Sequence, residues 1–307
     1  MKKQINFKKG DYMSQETSYT IEEVAQLLKV SKLTIYDLVK KGELPVFKVG
    51  RQMRLASSDL NDYIMRHRMN SNDDQKTIVI SGQDMALDLL GKHIEAKLGY
   101  KVLRSHEGSF NGLLSMYQGE SDIASLHMFD GDTAAYNLPY IKKVFVSHRY
   151  VLLRMLNRKA GFYVAKGNPL NIQSITDLQQ KVRLINREKG SGIRTLLDEQ
   201  LRIKGMTSKN VTGYETEEKD HLSVASAVAK GHADVGIGIE KIAKLVEVDF
   251  VPLIVESYDL VILKTEENEK LIAAVRAILN DASFQEEVQN IGGYDVSRMG
   301  NVVFETL

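Results

Sequence analysis

Apolar positions along residues 18–68 recur with a helical period and stop twice. Ile21, Val24, Ala25 and Leu28 fall on one face of a helix. Thr20 stands before that run with Glu23 three residues on, the spacing of a capping box. Lys29-Val30-Ser31 interrupts it, and Ser31 caps a second helix over 32–41. The second buried face is expected to be Leu33, Leu38 and Val39, with Ile35 in part. After Gly42 the period changes to that of a strand. Residues 44–55 predict a β-hairpin that turns at Gly50-Arg51 and has a basic tip. Ser57-Ser58-Asp59 then caps a third helix over 60–68.

From residue 77 onward, short apolar runs alternate with periodic ones. Thr77–Ile80 and 100–103 predict strands, with a helix over 85–98 between them. A second Gly/Ser loop, 106–112, leads into a helix, and 119–126 turns into a third strand. Strand-like runs at 144–153 and 161–165 follow, then a capped helix at 175–178. Val182–Ile185 passes through Gly190-Ser191-Gly192 into a helix. Another helix, capped at Asp220, precedes strands at 233–239, 250–254 and 258–263, and two helices close the chain. Strands alternating with helices predict an α/β fold with a largely parallel sheet. In such sheets ligands sit beyond the carboxyl ends of strands, where Ser81 and Ser109 lie. The polar stretches 1–17 and 69–76 show no period and are expected to be a disordered leader and a linker.

Charge sharpens this division. Residues 1–76 hold 14 Lys and Arg against 10 Asp and Glu, whereas 77–307 hold 27 against 30. A basic head on a mildly acidic body points to nucleic acid at the N-terminal end. The absence of cysteine excludes disulfides, thiolate metal sites and cysteine nucleophiles. The N-terminus has no apolar core behind its lysines, and no run reaches membrane-spanning length, so a cytoplasmic protein is expected.

The turn 185–198 is the main chemical candidate. Gly-Ser-Gly at a helix start aims free N–H groups, a hydroxyl and the arginines Arg187 and Arg194 at one place, which suits an anion. An ion pair of Arg194 with Asp198 or Glu199 at helical spacing fits equally well. Other chemistries lack their patterns. No histidines stand at metal-ligand spacing, Ser191 is outside a G-x-S-x-G context, and Gly236-Ile237-Gly238 lacks the third glycine of a dinucleotide loop.

Two resemblances add to this reading. Residues 19–25, Val30-Ser31-Lys32-Leu33-Thr34-Ile35-Tyr36, Gly42-Glu43-Leu44-Pro45, Val49-Gly50-Arg51 and Arg54-Leu55 resemble the excisionase-type, MerR-like winged helix-turn-helix family over about 50 residues. That resemblance implies that Ser31, Lys32, Thr34 and Tyr36 face the major groove, and that Arg51 and Arg54 of the wing contact phosphate or the minor groove. Residues 107–113, 119–124, 186–194, 229–236 and 258–261 resemble a type II periplasmic-binding-protein-like domain, closest to its molybdate/molybdopterin-associated branch. This implies two α/β lobes, one formed by 77–163 and 260–307 and the other by 164–259. The chain would cross near 162–165 and return near 258–263. Ser81 and Ser109 from lobe one would face Ser191, Gly192, His221, Arg187 and Arg194 from lobe two.

The expected function is that of a one-component transcriptional regulator rather than an enzyme. It reads double-stranded DNA as a homodimer and responds to a small oxyanion, molybdate or tungstate, as effector. Two alternatives remain. One is a sensor of molybdopterin or another phosphorylated or carboxylated small molecule. The other is an enzyme module on a pterin-type substrate, tethered by the helix-turn-helix.

Overall fold

A computed structural model describes residues 17–67 and 76–307, apart from the side chains of 65–67. The expected leader and linker, over 1–16 and 69–75, lie outside the described residues, as do the side chains of Arg66 and Arg68. The chain divides into two compact units, Met1–Asp74 and Gln75–Leu307.

In the first unit the helix Ile21–Leu28 starts on the capping box its sequence promised. Glu23 N–H donates to Thr20 Oγ1, and Thr20 N–H donates to Glu23 Oε2 at 2.7 Å. Lys29 ends it in the left-handed conformation at φ 54°. Ser31 caps the helix Lys32–Lys40 by accepting from Thr34 N–H. A three-stranded antiparallel sheet places Gln52–Ala56 between Ser18–Thr20 and Phe47–Val49, and the helix Ser57–His67 follows. The core is Ile21, Val24, Ala25, Ile35, Leu44, Leu55 and Leu60. Here one expectation is corrected: Ile35 is fully buried and Leu33 is 76% exposed. The core lies on the Ile35, Leu38 and Val39 side of the helix, and Leu33 is on the far side.

The second unit is organised by two 15-residue strands, Tyr150–Val164 and Asp249–Leu263. They pair antiparallel along their whole length, from Tyr150 opposite Leu263 to Val164 opposite Asp249. On one end Asp259–Val261 pairs with Ile123–Leu126, and the sheet continues through Thr77–Ser81 to Lys101–Ser105. On the other end Ala160–Val164 pairs with Val235–Ile239, and the sheet continues through Leu184–Arg187 to Glu217–Glu218. Each end has its own apolar core. One gathers Ile78, Leu87, Leu153, Leu260 and Phe284, the other Phe162, Leu184, Ile193, Leu197 and Ile237.

These two cores are the two lobes, and the paired long strands are the only sheet joining them among the described residues. Residues 160–164 already pair inside lobe two. The crossing therefore lies near 156–160, earlier than the expected 162–165. The return lies near 254–258, ahead of the expected boundary at 259/260. The breaks in hydrophobicity at 154–160 and 255–257 separate runs expected from the sequence to be distinct strands. They are instead the passage of one continuous strand from one core to the next.

Candidate functional sites: an interlobe cleft and a winged helix

A cavity of about 360 Å³ lies between the lobes of the second unit. Five helices begin at its wall: Ala86–Leu98, Ser109–Tyr117, Gly192–Ile203, His221–Ala229 and Glu240–Val246. Each presents first-turn N–H groups without helical partners, and the helix dipoles add positive potential there. This convergence follows from the topology, because both lobes turn the carboxyl ends of their parallel strands toward each other.

Four of the seven expected ligand residues line the cavity: Ser109, Arg187, Ser191 and His221. Ser109 Oγ accepts from His127 N–H at 3.2 Å, and Ser191 Oγ accepts from Arg194 N–H at 3.2 Å. Both hydroxyls therefore retain their own proton to donate. Arg187 is buried, and Glu188 clamps it through Nε and Nη2 at 2.8 and 2.9 Å. Its Nη2 also reaches Gln83 Oε1 in the opposite lobe at 2.6 Å. His221 Nδ1 is out of contact with water and, among the described residues, has no hydrogen-bond partner. Burial, followed by the charges of Arg187 and Arg158, holds the His221 imidazole well below its ordinary pKa, so it is neutral at physiological pH.

The other three expected residues are placed differently. Ser81 Oγ donates to Glu107 Oε2 at 3.2 Å, behind the cavity wall. Gly192 packs against the His127 ring, which an added Cβ would meet at 2.5 Å. Arg194 turns away from the cavity. Its guanidinium lies 4.2 Å over the Tyr214 ring and bonds Glu217 Oε1 at 2.7 Å, Asp198 Oδ1 at 3.3 Å and the Arg187 carbonyl at 3.1 Å. Of its two readings, the ion pair is the one the geometry realises. The pairing tethers the Glu217–Glu218 strand to the helix after the Gly-Ser-Gly turn.

Sequence reasoning missed the charged floor of the cleft. Arg158, on the first long strand, is buried between Asp84 and Glu256, with Glu256 Oε1 at 2.5 Å from its Nε. Glu256 also bonds His127 at 3.2 Å, and Tyr294 donates to Asp84 at 2.9 Å. Burial alone would raise the pKa of Glu256, but Arg158 and then His127 outweigh it and bring it down to about 2. Arg158 and Glu256 face each other across the strand pair, as do Arg154 and Asp259. The available signal was two like charges inside each apolar strand, Arg154 and Arg158 on one and Glu256 and Asp259 on the other, readable only once the two strands are known to be partners. Lys241 was also missed. It approaches Met85 Sδ and lies 5.3 Å from the Tyr294 ring, spanning the cleft from lobe two. Met85, Leu222 and Leu245 form an apolar rim, 45%, 48% and 65% exposed.

The lobes meet directly beside the cavity. Phe110 N–H donates to the Gly190 carbonyl at 3.0 Å. A Cβ on Gly108 would stand 2.7 Å from that same oxygen, so only glycine permits the approach. Among the described residues no group of three His, Cys, Asp or Glu could hold a metal ion, and no helix is long and apolar enough to cross a membrane.

In the first unit Ser31, Lys32, Thr34 and Tyr36 are all exposed on or beside the second helix. Ser31 Oγ and Thr34 Oγ1 bond each other at 2.8 Å, and Lys32 pairs with Glu22. Arg51 is exposed at the wing turn. Arg54 lies on the central strand, partly buried, and its Nη1 donates to Ser18 Oγ at 3.2 Å. Arg54 is thus engaged within its own unit, while Arg51 is free to reach out.

Comparison with known proteins agrees with this architecture. A helix-turn-helix domain model matches residues 18–68, and a PBP superfamily domain model matches residues 91–280. The uncharacterized protein YvgK of Bacillus subtilis (strain 168) is 46% identical over 310 residues, covering 96% of this chain and 100% of that protein. A putative DNA-binding protein of Mycobacterium tuberculosis (strain ATCC 25618 / H37Rv) is 47% identical over 45 residues, 15% of this chain and 58% of that one. A putative phosphate ABC transporter substrate-binding protein from Clostridium perfringens, solved with bound phosphate, superposes at a TM-score of 0.54 and 13% identity. It covers 72% of this chain and 99% of its own, a likeness of fold alone. The molybdate branch has no counterpart among these matches. With paired lobes, a cleft between them and family matches that agree in order and extent, the chain belongs to the PBP superfamily and carries a helix-turn-helix domain ahead of its binding-protein domain.

Proposed function

We propose that the protein is a ligand-responsive, DNA-binding transcriptional regulator whose cleft takes a small organic molecule bearing an acidic group. The observation that carries the reading is the interlobe cavity at whose wall the five helices begin, with Ser109, Ser191 and Arg187 in its lining. The acidic group belongs at the helix starts, near Ser109, Ser191 and Arg187. The apolar part belongs at the rim formed by Met85, Leu222 and Leu245. A volume of about 360 Å³ falls in the range of roughly 300–1,000 Å³ typical of small-molecule sites. Bare molybdate or tungstate, with four oxygens, leaves most of that space and the apolar rim unused. The phosphorylated or carboxylated alternative therefore takes precedence over the simple oxyanion.

Binding acts through the lobes. A ligand that touches both favours the closed arrangement by its differential affinity, and the Phe110–Gly190 and Arg187–Gln83 bonds form in the same arrangement. For closure to change DNA affinity, two DNA-reading heads must change their spacing or orientation, so the acting species is a homodimer. It works in the cytoplasm, where the DNA is, and performs no catalysis.

A thermal-shift screen of the full chain tests this reading. The panel is molybdate, tungstate, phosphate and sulfate beside phosphorylated and carboxylated small organic molecules, molybdopterin among them. A ligand at a hundred times its Kd stabilises by about 2.7 kcal/mol. The expected result is a shift of several degrees with an organic acid and none with the inorganic ions. A shift with molybdate or tungstate at micromolar concentration would overturn the choice of ligand. A true ligand that leaves DNA binding unchanged would overturn the regulator.

A further inference from the structure

We propose that Leu33 reads thymine, placing its side chain against the 5-methyl group of that base in the major groove. The inference rests on the DNA-binding reading of the first unit and adds to it a residue that sets sequence preference.

Leu33 is the second residue of the helix Lys32–Lys40 and is 76% exposed, among the most exposed large apolar side chains of the first unit. Leu33 contributes nothing to the core of its unit, so its whole side chain is available to a partner outside it. Its position selects the partner. Ile35, Leu38 and Val39 hold one side of this helix to the core. Helical spacing then puts Leu33, Tyr36, Asp37 and Lys40 together on the side turned away. In a helix-turn-helix that outer side, at its N-terminal end, is what enters the major groove.

The neighbouring side chains narrow the chemistry. Lys32 is occupied by Glu22, and the Ser31 and Thr34 hydroxyls bond each other. Asp37 repels phosphate. Leu33 is left as the side chain nearest the helix start with a large apolar surface and no polar atom. Of the groups that base pairs present in the major groove, only the thymine 5-methyl is apolar. Tyr36, 46% exposed and one turn on, can pack beside it.

The test uses the full chain, a pool of randomised duplexes and deoxyuridine, which is thymidine without the methyl. Duplexes enriched by the protein are remade with each thymine in turn replaced by deoxyuridine. Losing contact with one methyl weakens binding about fourfold. The expected result is that one thymine per half-site gives such a loss with the unaltered protein. Leu33→Ala loses a similar factor on the thymine duplex and no longer distinguishes the two bases. Because Leu33 is exposed, the melting temperature of Leu33→Ala stays at that of the unaltered protein, which separates misfolding from lost readout. Enriched duplexes whose thymines can all be replaced without effect would overturn the proposal. So would a Leu33→Ala protein that still distinguishes thymine from deoxyuridine. A pool that yields no enriched duplex refutes the DNA-binding reading and this proposal with it, an outcome distinct from the other two.

Discussion

Replacing Glu256 with glutamine removes one of the two carboxylates that enclose Arg158 and keeps the side chain's shape. Glu256 is fully buried, and its pKa falls from 4.5 to about 2 on folding. That difference corresponds to about 3 kcal/mol of stability from this one ionisation. The sign follows from the direction of the shift. A carboxylate with a depressed folded pKa contributes fully above its unfolded pKa, and the contribution is lost as pH falls through the folded value. At pH 7 Glu256→Gln is therefore less stable than the unaltered protein by about 3 kcal/mol. For a unit of this size that lowers the melting temperature by roughly 6–12 °C. At low pH the unaltered Glu256 is itself protonated and resembles the glutamine. Roughly 2 kcal/mol of the gap should close between pH 6 and pH 3. Urea titrations of both proteins across that range, followed by circular dichroism, read the gap directly. A gap that stays constant with pH would show that Glu256 is not held ionised by Arg158 and His127, and the account of the cleft floor would fall.

Three further outcomes follow from the geometry. Gly108→Ala sets a methyl 2.7 Å from the Gly190 carbonyl, backbone against backbone, so the lobes cannot close fully. Affinity for the cleft ligand should drop at least about tenfold, and small-angle scattering should show no compaction on adding ligand; compaction equal to that of the unaltered protein refutes the contact. Arg194→Met removes the stacking on Tyr214 and the bonds to Glu217 and the Arg187 carbonyl, with a loss of about 1–3 kcal/mol, since both carboxylate partners are partly exposed. Because Arg194 faces away from the cavity, ligand affinity well below the melting temperature should hold within about threefold, and a larger loss would place Arg194 at the ligand. Arg51→Ala should weaken binding to all duplexes alike and lower the slope of log affinity against log salt by about one, whereas an unchanged slope would mean that Arg51 touches no phosphate.

Much of the winged unit was legible because its signals are local. The Thr20 and Glu23 capping box, the Ser31 cap, the wing at Gly50-Arg51 and the helix after Ser57 depend on neighbours within a few residues. The exception was Leu33. Periodicity over nine residues cannot tell which edge of an apolar stripe faces the core when Ile35 and Leu33 compete for it. The same limits applied to the cleft. Ser109, Ser191 and His221 could be named because each stands at or beside a helix start that its own sequence announces, and Arg187 because it precedes one of those turns. Arg194 could not be resolved, because its partner Glu217 lies 23 residues away on a different strand.

The sequence by itself determined the two-part plan, the helix-turn-helix, the alternating strands and helices, and the capped turns from which the cleft is built. Each of these is written in hydrogen-bonding and apolar preferences that act over one or two turns of chain. Only the tertiary structure decided that four apolar segments are two continuous strands, and that Arg158 lies between Asp84 and Glu256 in the cleft floor. It also decided that Arg187 faces the cavity while Arg194 does not. The physical reason is the range of the interactions. A buried charge is tolerable only where an opposite charge meets it, and Asp84 and Glu256 lie 74 and 98 residues from Arg158. No local pattern records that meeting; the antiparallel pairing of the two long strands brings Glu256 to Arg158, and the loop after Thr77–Ser81 brings Asp84.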